Sequence, residues 1–480
     1  MARQTPRRRT LTVVALVVGI AAIGAGAWGL QRWQPFEHEA EKVVWPANVA
    51  PLATIVENEM GLRFVRNVKV EYIADATKFA ARTHPPTAPL TAAQTARLDA
   101  DAALGRALGM WAGDVSLADD ASTIRAAAVS PVVLLSLQNT IVVNATDAKA
   151  TLDPETRVEL VRRLALVLDD QQYDVFRKLA SAPTSQRFEA LAGLQFGDGQ
   201  WMHDRYVAGL SAKDLTAYRT AVRTRNTNYS SQVQNVPITY RALRVDYDQA
   251  GPAFVAVLRE TGGTALAKAF TTDMPTALDQ MLLPTAKYLH LDPTDKVAAP
   301  PVPREGTLVR HAQLGPFGIY LLMAAGLTPQ EALTAADGWG NDAATLYRLH
   351  GTTCVDGRIV ADSRDDADLI ARGLDAWAGS RPKESGALVG RDGTTLLFSV
   401  CDPGAKVRQQ VPDQAALDQY FGRSIMLRDQ LRITNKPDLA ECVATEFYAQ
   451  HTDQQATGSS ADFDLQNVLD SLSEKCRTEV

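Results

Sequence analysis

The sequence predicts an α+β fold, mostly helical, with small antiparallel sheets and one N-terminal transmembrane helix. Three observations point there. From Asp153 to about Thr224, apolar residues recur at helical spacing almost without a break. Short β-branched runs, VKVEYI (Val68 to Ile73) and NTIVVNA (Asn139 to Ala145), read as strands. The stretch LTVVALVVGIAAIGAGAWGL, Leu11 to Leu30, carries no charge and is long enough for a hydrocarbon core of ~30 Å.

In chain order, residues 1–10 form a basic tail that ends in Arg7-Arg8-Arg9. Arginines before an apolar span place that end in the cytoplasm, so residues 11–30 are expected to anchor the chain and the body to lie outside. A cleaved signal peptide is the alternative, because Ala25-Gly26-Ala27 has the small-residue cleavage pattern; its apolar core is usually shorter than this one. Residues 31–45 are a linker. The main body spans 46–296. It holds a helix at Ala50 to Met60, the two strands, an alanine-rich helix at Thr91 to Trp111, and the helical run opened by Asp153-Pro154-Glu155, an N-cap followed by proline. Ala250 to Gly262 and Thr264 to Lys287 continue the helical pattern.

Residues 297–306, VAAPPVPREG, form a proline-rich linker. An α+β subdomain follows at 307–430. It starts with a helix pair, Gln313 to Ala335, and a glycine-punctuated turn, GWGND, at Gly338 to Asp342. Next come one or two strands over TLYRLHGTTCVDGRIVAD, a helix capped by Ser363, and a hairpin turning at Asp392-Gly393. Residues 431–480 are a C-terminal helical segment with a polar gap at Thr452 to Asp462.

The net charge of −6 over 480 residues leaves no footprint for nucleic acid. The four cysteines have no CxxC spacing, which argues against a zinc knuckle or redox motif. In an exported body they are expected to pair as Cys354–Cys401 and Cys442–Cys476, each within one substructure; four free thiols are the alternative.

The order strand NTIVVNA, helix ending LDDQQYD, then FEALAGLQFGDGQWMHDRYVAGLS carries the only chemical signature. It resembles the actinobacterial and archaeal secreted zinc metallopeptidases of zincin type. Their helix reads His-Glu-Leu-x-His-Ala-Leu-Gln-Asp-Gln-x-Phe-Asp, and a later helix carries Ala-Leu-x-Glu-Gly-Asp-Ala. Leu168, Asp170, Gln171, Tyr173 and Asp174 match the tail of the first motif. Leu194, Gly197 and Asp198 match the second, and Tyr206 and Leu210 its sequel. The segment Gly338 to Asp342 and the helix after Asp362-Ser363 fit the same pattern.

The departures matter more. The resemblance puts Arg162 on the first zinc histidine, Arg163 on the general-base glutamate, Leu166 on the second histidine and Phe196 on the third ligand. Leucine and phenylalanine offer zinc no donor atom, and arginine stays protonated. The resemblance therefore implies no metal, no cofactor and no peptidase activity in a main body that is a degenerate metallopeptidase-like domain. His203-Asp204 is the one other place worth testing for metal; a surface helix residue is the plainer reading. The leftover Asp170, Gln171, Tyr173, Asp174, Gly197 and Asp198 read best as packing and helix-end residues, with Gly197 allowing helices to approach closely.

The leading functional reading is a catalytically inactive, membrane-anchored protein that binds or scaffolds in the cell envelope. Its partners are the membrane, through residues 11–30, and an envelope protein or peptide. A hydrolase of another class reusing the cleft, and a purely structural envelope protein, are the alternatives. Arg162 and Arg163 either make a surviving cleft basic or face water.

Overall fold

Caps and prolines set the helix boundaries. Asp153 accepts the Thr156 N–H at 2.9 Å, Pro154 opens the helix, and Asp174 ends it in the left-handed region at φ 57°. Thr184, Ser211, Ser363 and Asp413 cap four more helices with their side chains. The computed structural model describes residues 43–85, 89–290, 296–458 and 463–479. The basic tail, the anchor and most of the 31–45 linker lie outside these residues. Among the described residues no helix is long and apolar enough to cross a membrane.

The elements used below are, in order, α1 (Ala50–Met60), β1 (Lys69–Tyr72), α2 (Ala92–Leu108), β2 (Val132–Leu135), β3 (Thr140–Val143), α3 (Pro154–Tyr173), α4 (Ser185–Ala208), α5 (Ala212–Gln232) and α6 (Asp246–Thr261). They continue with β4 (Thr307–Ala312), α7 (Gly315–Ala324), α8 (Pro329–Asp337), β5 (Trp339–Leu349), β6 (Thr352–Ala361), α9 (Arg364–Ser380), β7 (Leu388–Asp392), β8 (Thr395–Cys401), α10 (Gln414–Thr434), α11 (Pro437–Gln450) and α12 (Leu465–Glu479). The fold is thus α+β and mostly helical, with two small sheets. One departs from the expected antiparallel pattern and is mixed: β3 pairs parallel with β1, across the long helical connection between them, and antiparallel with β2. The other is antiparallel, in the order β4-β5-β6-β8-β7.

Two hydrophobic cores form. The smaller packs α1 and the first sheet against Leu160, Val161, Leu164 and Leu168 of α3. The larger runs from Ala100 to Cys476 and draws on both sides of residues 297–306. Trp377 donates its indole N–H to the Leu108 carbonyl at 2.9 Å, and Arg106 pairs with Asp402 at 2.7 Å. Helix α10 runs without a break through residues 430 and 431. The α3–α4 contact is the seam between the cores: α4 gives Leu194 to the larger and Met202 to the smaller.

Both expected disulfides are present. Cys354–Cys401 joins paired positions of β6 and β8, and Cys442–Cys476 ties α11 to α12. Three local expectations are corrected. GWGND is not a turn: Trp339 to Asp342 begin β5, with an irregularity between Trp339 and Asn341. Buried Asp342 explains this, since it accepts N–H bonds from Leu314 and Gly315 and from the Trp339 indole and so holds the segment extended. Thr264 to Lys287 is not continuous helix. Helix Ala265–Phe270 stops, and the chain resumes as Asp279–Leu282 and a π turn, Pro284–Leu289; Pro275 and Pro284 interrupt the N–H ladder. The hairpin turn is centred one residue later than Asp392-Gly393, because Asp392 pairs with Thr395, with Gly393 at φ 63°.

Candidate functional site

The seam between α3 and α4 holds three of the four positions singled out by the motif register, Arg162, Leu166 and Phe196. The Arg162 guanidinium lies 4.2 Å from the centroid of the Phe196 ring, a cation–π contact. Leu166 fills the space beside Gly199, where an added Cβ would come within 2.7 Å of its Cδ2. Gln195 donates to the Leu166 carbonyl at 3.1 Å. Arg162, Leu166 and Phe196 therefore meet in one packed patch.

Arg163 points elsewhere, donating to the Val132 carbonyl at 3.4 Å. Both arginines flank buried Glu159, at 4.0 Å for Arg162 and 3.7 Å for Arg163, while Arg225 of α5 reaches it at 3.3 Å. Burial pushes the Glu159 carboxyl up, but the guanidiniums of Arg163, Arg162 and Arg225 outweigh it and hold the pKa below the ordinary value. Burial lowers Arg163 to about 10, so it stays charged at neutral pH. Both arginines are half-buried, with side-chain exposures of 16% and 22%. The zinc of the resembled family does not fit this patch, which presents an aliphatic chain, a phenyl ring and an engaged guanidinium.

The retained motif residues mostly tie down helix ends. Asp170 accepts the Phe176 N–H at 2.8 Å. Gln171 accepts from the N–H groups of Val65 and Arg66 and donates to the Arg66 carbonyl at 2.9 Å, so one amide satisfies a stretch of loop. Tyr173 stacks on Phe270 at 4.8 Å, and Asp174 pairs with Arg177. Gly197 lies where α4 meets α6: a Cβ there would stand 2.3 Å from the Gly251 carbonyl oxygen.

Asp198 belongs to a buried cluster that the motifs do not reveal. It is 1% exposed and pairs with Arg259 of α6, whose guanidinium also lies 3.5 Å from the Trp201 ring centroid. Asp169 of α3 is fully buried, and as an ionised group neither of its oxygens would have a donor. Burial, and then neighbouring Asp198, push its carboxyl well above the usual range. Asp169 is therefore held towards its neutral form. The sequence does carry a signal for it: Asp169 follows Leu168 and lies four residues after Ala165, on the apolar face of the helix. The partners Asp198 and Arg259 are distant in sequence and give none.

Further buried carboxyls gather beyond this cluster. Burial raises Asp246 and Asp248 to about 7, and Asp279 and Asp342 to about 6. Burial, with Asp246 and Asp342 nearby, also raises Glu189 well above its ordinary value. A carboxyl held above its unfolded value keeps a proton that the unfolded chain has released. The folded state binds more protons there, so stability falls as pH rises from about 4 through the folded pKa. Glu159 and Asp204, held low, lose their contribution only in stronger acid. His84 and His451, also held low, act oppositely below about pH 6.5 but are only two groups. The melting temperature is therefore expected to drop by roughly 5 °C or more between pH 5 and pH 8. A flat or rising profile by calorimetry would contradict the buried-acid assignment.

His203 is engaged on both ring nitrogens, with Asp204 at 2.9 Å and the Tyr218 hydroxyl at 2.7 Å. Among the described residues no three or more His, Cys, Asp or Glu side chains are grouped so as to hold a metal. On a different face of α4 from the seam, a groove of about 520 Å³ opens between α4, α6 and α10, with Trp201 and Arg259 in its wall. Comparison of the chain with protein-family models, curated proteins and solved structures finds no match.

Proposed function

We propose that this chain is a catalytically inactive, metallopeptidase-like protein, held in the cytoplasmic membrane by residues 11–30. Its body lies outside the cytoplasm and acts by binding or scaffolding in the cell envelope. The observation that carries this reading is the packed seam. Where the resembled enzymes need imidazoles, a carboxylate ligand and a general base, Arg162 lies over Phe196 and Leu166 packs against Gly199. None of these three side chains offers a nucleophile, a base or a metal ligand. Two disulfides support an oxidising location for the body.

A hydrolase of another class is less well supported. The carboxyl pair nearest the seam, Asp169 and Asp198, is 0% and 1% exposed, which leaves no room for a substrate. A purely structural role leaves the arginine-lined groove without a purpose, which favours binding.

The test uses full-length protein purified in detergent. Metal analysis is expected to find zinc far below one per chain, and casein to stay intact with or without chelator. One zinc per chain together with chelator-sensitive cleavage would overturn the proposal.

A further inference from the structure

The groove between α4, α6 and α10 has an unbalanced charge pattern. Arg205, Arg259, Arg428 and Arg432 line it against two carboxylates, Asp204 and Glu260, in a chain whose net charge is −6. Two of the four guanidiniums are satisfied outside the groove. Arg259 is held by buried Asp198, and Arg205 by Glu59 at 3.0 Å.

Arg428 and Arg432 are different. They sit one turn apart on α10 and converge on a single oxygen, Oδ2 of Asp204, at 3.5 and 3.8 Å. Neither donates a hydrogen bond to it among the described residues. The other oxygen, Oδ1, is taken by Gln200 at 2.8 Å and lies 2.9 Å from His203 Nδ1. Nε of Arg428 is enclosed without an acceptor. Arg432 has a second partner, Asp429, at 3.1 Å, but both of these side chains are more than half exposed. One carboxylate thus serves two guanidiniums at more than hydrogen-bond length, and planar donors so placed suit an oxyanion.

Apart from Asn435, the rest of the lining is apolar. Trp201, Pro252, Ala256 and Leu431 give it an apolar lining on which a hydrocarbon or side-chain surface can lie. Arginines in the last turns of α10 also complement the negative end of its dipole, and that alone accounts for basic residues there. It does not account for their convergence on one carboxylate beside apolar lining residues.

We propose that this groove binds a carboxylate carried on an apolar body, with Arg428 and Arg432 clamping the carboxylate and Trp201 and Leu431 packing on the body. The C-terminus of a peptide and a short fatty acid share this chemistry. The proposal rests on the reading of the chain as a binding protein. The zinc and casein assays decide that reading without reference to the groove, so the two can fail separately.

The experiment is calorimetric titration of the full-length protein in zwitterionic detergent. The probes are N-acetyl-leucyl-leucine against its C-terminal amide, and hexanoate against hexanamide. Each matched pair differs only in the anionic group. At least one acid is expected to bind about tenfold or more tighter than its amide, and the tighter acid identifies the source. Exchanging both arginines (Arg428→Gln with Arg432→Gln) should remove most of that preference, while Arg428→Lys with Arg432→Lys should keep part of it. The proposal is overturned if acids and amides bind alike, if no acid binds up to millimolar concentration, or if the glutamine variant keeps the preference. The comparison of acid with amide on the unaltered protein stands even if the glutamine variant fails to fold.

Discussion

Gly251→Ala is expected to lower the stability of the fold by about 3 kcal/mol, the upper part of the range for overpacking a filled interior. Helices α4 and α6 meet backbone to backbone. A Cβ on Gly251 would stand 2.1 Å from the Gly193 carbonyl oxygen and 2.8 Å from its carbon. Across the contact, a Cβ on Gly197 would stand 2.3 Å from the Gly251 oxygen. The atoms in the way are main chain, so no side-chain rotation relieves the clash and the helices must separate. Alanine's better helix propensity offsets only ~1 kcal/mol of that. Separation would also loosen the Asp198–Arg259 pair, which bridges the same two helices. Gly379 of α9 gives a matched control: it is exposed, and an added Cβ there meets nothing within 4 Å. Gly379→Ala should stabilise by roughly 0.5–1 kcal/mol. The two substitutions should thus move the urea midpoint in opposite directions. Equal shifts would mean that the close approach of α4 and α6 does not limit the fold.

Features written within a few turns of chain are legible in the sequence. Asp153-Pro154 marks the start of α3, and Ser363 caps α9. Cysteine spacing within two substructures points to both disulfides. Gly197 is legible as a glycine needed for helix contact, but not its partner Gly251, because nothing local tells which helix arrives. The misreadings share that cause. GWGND has turn composition, yet Asp342 is held extended by N–H groups of Leu314 and Gly315, 28 and 27 residues earlier. The site follows the same division. The register that aligns Arg162, Leu166 and Phe196 comes from short motifs, and the fold brings these residues together. The groove draws Trp201, Arg259 and Arg428 from three helices spread over more than 200 residues, and no motif spans that distance.

Arg259→Ala should cost about 3–5 kcal/mol at neutral pH, the range for removing one partner of a buried ion pair. The cost comes from what is left behind. Asp198 keeps a negative charge at 1% exposure, and its remaining neighbour, Asp169, is another carboxyl with no donor but its own proton. Trp201 loses the guanidinium that lies over its ring at the same time. Because the penalty is an uncompensated anion, protonation relieves it, and the loss should be smaller at pH 5 than at pH 8. A shape-matched apolar exchange of the pair, Asp198→Leu with Arg259→Met, removes both charges and should recover most of the stability despite the change in volume. Asp169→Asn keeps a donor facing Asp198 but cannot ionise, so it should be nearly neutral at pH 5 and reduce the fall in stability towards pH 8. Urea denaturation of the three variants at both pH values separates these effects. If Arg259→Ala loses less than about 1 kcal/mol at pH 8, in the range of an exposed ion pair, then water reaches Asp198 and the cluster is not buried in solution.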